Sequence, residues 1–505
     1  MFYNNYLKTK NVQYKKINYA SFRNGINANY DERLLPIRYS KNTYNYSYAN
    51  GALTNGLGIQ SVRFCYDATD KSKTHTLNFP TNLDVLGAWI YTRYNKNMKQ
   101  YEDWCIYYCS DCYMYVGFMY INAPNTKKIS GLYFKSMPNV INYNLNGNDV
   151  LLIGTKEEGL YVYDSRISPY KVENAPNILS MCVHYERLFV TVDGDKRSLY
   201  FSDDLDPTNW DYTLNAGGFI QMIDDRGALN KVVSFNDYLY VFREFGIARV
   251  SAYAKQEDFY VTQLFTSSGR IYKNSISVCG DCVMFLASDG LYSFNGSSTS
   301  KIGLNIDKMF EGQNNDNCVS AFYNGSYYLA CKLNFNDNEK IGCEEDSYSN
   351  NALIELNLSS GELNIMRGVD IKNIQAFNNL LENKLVVCYK NGDRVKIGEI
   401  VKNGKVEDTP LKKVWKSPIT DFNYSNQEKI ITELSVVNKS DITVVINYDG
   451  KSKKYLLKGK DSINTIKPNL KAYEFSIDFV CENDNCYISN PQVVVGYLWL
   501  SNKKL

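Results

Sequence analysis

The sequence predicts an all-β chain: a β-propeller of about seven blades, with six or eight also fitting, an extended N-terminal arm and a C-terminal β-sandwich. Three observations predict it. Short apolar strands bounded by tight turns recur along most of the chain, helix signals are nearly absent, and the recurrence stops near both ends. Of the 505 residues 44% are apolar, enough to bury a large core, and the 43 tyrosines favour strands whose rings bury while their hydroxyls stay wet.

The repeating unit has two halves. The first is a turn followed by an apolar strand, as in HYERLFVTV from His184, FNDYLYVF from Phe235 and CGDCVMFL from Cys279. Aligned on Leu188, Leu239 and Val283, these carry Glu186, Asp237 and Asp281 two residues before the anchor. The second half is another strand, as in EEGLYVYD from Glu157, KRSLYFSD from Lys196, FGIARVSA from Phe245 and SDGLYSFN from Ser288. With Tyr113, Val150, Leu188, Leu239, Val283, Tyr327 and Leu385 as anchors, the spacings are 37, 38, 51, 44, 44 and 58. Propeller blades repeat at about 40–50 residues. An isolated hairpin is marginal in water, so such units must stack to bury their apolar faces, and radial stacking also protects strand edges.

The organisation that follows is an arm over residues 1–58, a propeller over 59–409 and a sandwich over 410–505. The arm carries no blade pattern and is able to lie across a neighbouring subunit. Leu304 to Phe310 is the one short helical stretch expected. In the last segment ITVVINYDG, KKYLLKG, YEFSIDFVC and QVVVGYLWL alternate as strands, and Asp449-Gly450 between two of them signals a hairpin.

The stretch FSDDLDPTNW places three carboxylates in four positions and invites a reading as chemistry. Ser202, Asp204 and Asp206 follow a strand, and Pro207 and Trp210 come next. Asp before Pro starts turns, and Ser or Asp side chains bond backbone N–H groups two residues on. The pattern resembles the Asp-box of sialidase-type propellers, Ser-x-Asp-x-Gly-x-Thr-Trp, with Asp206 in place of Gly and one extra residue before Trp210. In that family the box is a structural turn remote from catalysis. A structural turn is therefore expected, with Trp210 covering a strand edge; a calcium loop would want alternating ligands and a Gly for the bend.

Cys109-Ser-Asp-Cys112 and Cys279-Gly-Asp-Cys282 pose a four-thiolate zinc site. The repeat alignment instead sets both in the turn held by His184–Arg187 and Phe235–Tyr238, several blades apart. Thirteen cysteines, an odd number, fit free thiols in a reducing cytosol. With only His75 and His184, a Ser/His/Asp triad or a histidine metal cluster is not expected. Arg63, Arg93, Arg187, Arg226, Arg243, Arg249 and Arg270 could serve a carboxylate-binding cluster, but no spacing selects three of them. No P-loop or dinucleotide fingerprint occurs. Lys451, Lys453, Lys454, Lys458 and Lys460 read as a solvated, aggregation-resistant edge. No catalytic residue, cofactor or metal is assigned.

Net charge is +2, from 56 basic and 54 acidic residues, without the basic excess of a dedicated nucleic-acid binder. The opening MFYNNYLKTKNVQY lacks a signal-peptide core and no apolar run approaches 18 residues, so neither secretion nor a membrane span is expected.

The segment FRNGINANYDERLLPIRYSKNTYNYSYANGALTNGLGIQ resembles the opening of the β-propeller proteins of tailed-bacteriophage necks and tails, the packaged-DNA stabilisation and tail-nozzle connectors. The matching residues are Gly25, Ile26, Asn27, Leu35, Pro36, Asn45, Gly51, Ala52, Leu53 and Gly58. FSDDLDPTNW and the late VWKSPITDFNYSNQEKIITELSVV follow in the right order. The resemblance implies a non-enzymatic virion protein assembled in the bacterial host cytoplasm: a homo-oligomeric ring, hexameric by preference, flanked by other neck or tail proteins. Its lumen would conduct or retain packaged DNA without sequence-specific binding. The alternatives from other classes are a sialidase-like glycan hydrolase with a carbohydrate-binding sandwich and a tail-tip propeller that binds the host surface.

Overall fold

Alternation of apolar side chains closes six consecutive antiparallel sheets of four strands each, over residues 85–133, 139–171, 178–221, 229–266, 277–301 and 319–367, here sheets one to six. The computed structural model describes residues 8–502 except 21, 23, 68, 78, 81, 120–125, 214, 215, 254 and 336–344. Within each sheet the strands pair in chain order, so each is a meander.

Strand alternation serves two neighbours at once. Val150 and Leu152 in the second strand of sheet two pack toward Leu188 and Val190 of sheet three. Leu151 and Ile153, between them in sequence, pack toward Ile106 and Tyr108 of sheet one. Likewise Leu239 and Val241 of sheet four meet Phe189 of sheet three, whereas Tyr240 and Phe242 meet Phe285 and Phe294 of sheet five. A strand buried on both faces must be apolar at nearly every position, which is why these segments read as continuous apolar runs.

Sheet seven comes from both ends of the chain. Asp370–Asn378, Asn383–Asn391 and Arg394–Val401 supply three strands, and Gly58–Gln60 pairs with Glu399–Val401 as the fourth. A Cβ on Gly58 would run into the Asn403 side chain and the Lys405 backbone, so only glycine fits there. Sheet seven packs on sheet six through Val387 and Tyr389 and on sheet one through Phe377 and Cys388 against Tyr107 and Cys109. The seven sheets thus succeed one another in a closed order, an all-β, propeller-like arrangement.

Six of the seven anchors lie on the second strand of a sheet; Tyr113 does not. It opens the third strand of sheet one, Tyr113–Phe118, because sheet one starts with two long strands, Val85–Asn95 and Gln100–Cys109, that the repeat does not announce. The expected short helix is a single turn, Asp307–Phe310.

Two short strands, Lys405–Val406 and Thr409–Pro410, extend sheet seven, Phe64–Cys65 pairs with Thr74–His75, and the remaining strands form a seven-stranded and a five-stranded sheet. Their facing residues, Leu434, Val436, Val493 and Val495 from one and Val444, Ile446, Ile477 and Phe479 from the other, share one core. Strands Ile442–Tyr448 and Lys451–Leu457 close on the two-residue turn Asp449-Gly450, both at positive φ, the geometry of a tight hairpin.

Where an extended arm is expected, the described part of the first 58 residues is built into these sheets. Lys8–Asn18 pairs with the last strand from Asn502 back to Gln492. Asn42–Tyr44 pairs with Lys416 to Val414, and Ala52 to Thr54 with Ser489 to Tyr487. Tyr19 and Phe22 enter the shared core, Phe22 edge-on to Trp415 with centroids 5.1 Å apart. The segment lacks a local repeat because its partners lie some 400 residues away; residues 1–7 are outside the described chain.

Candidate functional site

The fully buried Asn45 joins the three parts of the molecule. It sits at φ 63°, a left-handed conformation that Asn tolerates better than most residues. Its backbone N–H donates to Ile365 O at 2.7 Å. Its side-chain amide donates to Arg367 O at 3.1 Å and Lys412 O at 2.8 Å, and its Oδ1 accepts the Arg367 N–H at 2.7 Å. One amide thus ties the N-terminal segment to the outer strand of sheet six and to the link into the C-terminal sheets.

Arg367 extends this junction. Its guanidinium, buried, holds the Glu345 carboxylate through Nε at 2.6 Å and a terminal nitrogen at 3.0 Å. Its plane lies over Phe335 at 4.1 Å and Tyr44 at 4.8 Å. Such a pair is stable only when both partners are present, because either charge alone is costly to bury. Nearby, the buried Lys413 ammonium donates to Leu411 O at 3.2 Å and Asn483 O at 2.8 Å. Ile26, Tyr44 and Val414 complete the seam in one cluster with Leu329 and Ile354 of sheet six.

The residues of the N-terminal motif are knots of chain at this seam. Gly25 turns at φ 67°, with its carbonyl accepting the Ser40 N–H; Asn27 is buried beside it, with its N–H donating to Ser40 O at 2.7 Å. Pro36 opens an exposed turn that receives the Tyr39 N–H. Asn50-Gly51 forms the tight turn before Ala52 and Leu53, both of which are buried. A groove of about 930 Å³ lies beside the seam, with Lys41, Lys416 and Lys454 among Glu32, Asp441 and Asp478.

The acid-rich stretch forms a self-contained corner after sheet three's third strand. Ser202 Oγ, buried, accepts the Leu188 N–H at 3.0 Å. Asp206 accepts the Thr208 N–H at 2.9 Å and its hydroxyl at 2.5 Å. Trp210 Nε1 donates to Pro207 O at 2.9 Å, and its ring enters the core between sheets two and three. Asp203, rather than Asp204, holds the loop: it accepts the Asp204 N–H at 2.7 Å and the Asn209 amide at 3.0 Å, with Arg187 at 4.0 Å. Asp204 is exposed. Among the described residues no three His, Cys, Asp or Glu side chains converge as metal ligands.

Cys279 and Cys282 face each other across the first turn of sheet five, as the alignment has it. Cys109 and Cys112 do not share that position: they flank the turn from the second to the third strand of sheet one, for the reason that displaces Tyr113. Burial pushes the Cys109 and Cys279 thiols up to about 12, so both stay protonated, and sheets one and five are not neighbours. His184 ends the first strand of sheet three as Phe235 ends that of sheet four. Its Nδ1 meets Ser234 Oγ at 2.8 Å and burial lowers it to about 4; burial also lowers His75.

The arginines are taken up singly or in pairs. Arg226 and Arg243 share Asp224, and Arg270 meets Asp316 at 2.8 Å and Glu244 at 3.7 Å. Arg93 meets Glu102 at 3.3 Å, Arg249 lies over Tyr238, and Arg187 donates to Ser202 O at 2.9 Å. Arg63 is exposed. Of the basic hairpin, Lys451, Lys453 and Lys454 lie exposed on the edge strand, Lys458 meets Asp441 at 2.7 Å, and Lys460 follows the strand.

Two side chains also reach past a neighbouring sheet. Lys273, between sheets four and five, donates to Leu179 O of sheet three at 3.2 Å. Asn373 of sheet seven contacts Met137 Sδ, just before sheet two, at 3.6 Å.

The chain matches no protein-family model and no curated protein. Among solved structures it is similar to PorZ, an essential bacterial surface component of the type-IX secretion system of Porphyromonas gingivalis. The identity is 12% and the TM-score 0.37, over 71% of this chain and 45% of that one, so the chain spans less than half of PorZ. It is also similar to BBS1N, solved in complex with ARL6DN, with 11% identity and a TM-score of 0.40 over 69% of this chain and 100% of that one. Among the described residues no helix is long and apolar enough to cross a membrane.

Proposed function

We propose that the protein is a non-enzymatic virion component, one subunit of an oligomeric ring in the neck or tail of a tailed bacteriophage. In this reading sheets one to seven are a seven-bladed β-propeller and the C-terminal sheets a β-sandwich. The observation that carries the proposal is the junction at Asn45. A connector, valve or nozzle bears load between its neighbours and must not hinge between its parts. Here a single buried amide and strands drawn from the first 58 residues tie propeller and sandwich together.

The motif that resembles the phage connectors is the same segment, and its residues serve turns and packing at that seam. In this reading the DNA path is the lumen between subunits. A heterologous interface closes such a ring when its rotation permits, with six copies preferred. A net charge of +2 suits a lumen past which DNA slides, since each neutralised phosphate adds binding free energy.

Counting copies in purified virions tests the proposal. Six or twelve per particle at the neck or tail is the expected result. Absence from virions, together with a monomer that releases sugar from glycans, would overturn it in favour of the hydrolase.

A further inference from the structure

Two sheet edges are left open in ways that complement each other. The first is the strand Lys8–Asn18, which among the described residues pairs only with the last strand of the chain. Every second backbone N–H and C=O along its other edge therefore faces away from the sheet. Lys15, Lys16, Ile17 and Asn18, four successive residues of that strand, line a groove of about 790 Å³ whose apolar wall includes Leu34, Pro36 and Ile419. Leu34 is 78% exposed at its rim. Lys15 and Lys16 are also exposed, and among the described residues neither has an ion-pair partner.

The second edge is the outer strand of sheet three, Gly218–Gln221, which pairs only with the strand inside it. From Phe219 to Asp225 exposure alternates: Phe219, Gln221, Ile223 and Asp225 are exposed, Ile220 and Asp224 are half-buried and Met222 is buried. Phe219 is 51% and Ile223 76% exposed, two large apolar side chains left in water along one open edge. The exposed Tyr212 ring stands 6.3 Å from that of Phe219. Asp224 is held by Arg226 and Arg243, whereas Asp225 has no ion-pair partner among the described residues. In the closed order sheet three stands farthest from sheets six and seven, and the Asn45 junction joins the C-terminal sheets to sheet six.

We infer that these edges are the two halves of one contact between copies of this chain. Gly218–Gln221 of one copy lies along Lys8–Asn18 of the next, with Phe219 and Ile223 in the groove and Asp225 beside Lys15 and Lys16. The inference rests on the ring proposed above and names the surfaces that build it. Charge selects the partner edge. Two copies of Lys8–Asn18 laid together would set lysine against lysine. The outer strands of sheets one, two and five carry the exposed Lys127, Lys171 and Lys301, and Lys451–Leu457 carries lysines too. That of sheet four is exposed only at Tyr260 and Thr266, its ends, and that of sheet six is mostly buried. Backbone hydrogen bonds along the joined edges supply affinity, while the groove and the carboxylate supply selectivity. Because the two surfaces differ and lie far apart on the chain, the contact is heterologous and repeats from copy to copy, as a ring requires.

Sedimentation of the purified full chain over a range of concentrations tests it, with the chain itself as the probe. The wild type is expected to assemble beyond the monomer. Ile223→Asp should weaken that association by about tenfold or more, the loss of one apolar anchor at an interface. Lys15→Glu/Lys16→Glu and Asp225→Lys should each weaken it as well, and the chain that carries all three changes should recover, because every contact then pairs opposite charges again. These side chains are exposed, so thermal unfolding of each variant should match the wild type and separate lost assembly from lost folding. Leu456→Asp, exposed on a different edge, should leave association unchanged. A wild type that stays monomeric, an Ile223→Asp chain that assembles as well as the wild type, or a triple variant no better than its parents would overturn the interface. A ring in virions that survives Ile223→Asp would sink this contact and leave the ring standing. Assembly that follows these variants in a chain absent from virions would do the reverse.

Discussion

The corner at Ser202–Trp210 and the junction at Asn45 are both turns built on side-chain-to-backbone hydrogen bonds, yet they do different work. In the corner most partners are neighbours in sequence: Asp206 with Thr208, Asp203 with Asn209, Pro207 with Trp210. In the junction the partners of Asn45 lie 322 and 367 residues away. A local turn shapes one loop and seats one tryptophan. A turn whose donors and acceptors come from three parts of the chain decides whether those parts move together. Conspicuous acids are thus a poor guide to importance, and one inconspicuous asparagine is the better one.

Breaking each region separates the two. The largest effect is expected for Asn45→Ala, which removes the acceptor of the Arg367 N–H and the donor to the carbonyls of Arg367 and Lys412 in a buried place. Three lost hydrogen bonds of about 1–3 kcal/mol each, with the left-handed backbone added, put the cost near 5 kcal/mol. Urea unfolding should show it, and a loss under about 1 kcal/mol would remove Asn45 from the centre of the account. Next comes Arg367→Met, which removes the guanidinium that holds the buried Glu345 carboxylate, at a cost of about 3–4 kcal/mol. Arg367→Met/Glu345→Leu should be less destabilised than the sum of its single variants; strict additivity would mean that the two side chains do not act as a pair.

Smaller effects are expected in the corner. Asp203→Ala should cost about 1–2 kcal/mol, since two donors lose their acceptor, while Asp204→Ala should stay within about 0.5 kcal/mol. The reverse order would return the structural role to Asp204. Smallest at neutral pH is His184. Its folded-state value, about 4, lies below the usual 6.5, so the fold prefers it neutral. Its contribution is complete above pH 6.5 and is lost as the pH falls toward 4. His184→Phe, the residue at the matching place in sheet four, should flatten that part of the stability curve. An unchanged slope between pH 6.5 and 4 would show that His184 does not carry it.

Much of the propeller-like part was legible in the sequence, because its information is local. Two-residue alternation, turn residues and a period near 44 residues place Leu188, Leu239 and Val283 at equivalent, fully buried positions. The turn at Asp449-Gly450 is legible for the same reason. What was not legible depends on distant partners. Nothing in NTYNYSYANGALTN announces that its strands pair with Lys416 and Ser489, so the segment read as an arm. Sheet one escaped the repeat because its opening strands are longer than the unit that defines it. Arg367 and Glu345 carry no motif, so only the packing brings them forward. Asp203 could have been preferred to Asp204 only by knowing where Asn209 and Arg187 fall.

The central claim is that the first 58 residues make the whole chain one mechanical body. Differential scanning calorimetry of the wild type tests it most directly. One cooperative transition is expected, with calorimetric and van't Hoff enthalpies in agreement, and Asn45→Ala should divide it into two. Two resolved transitions in the wild type would contradict the claim.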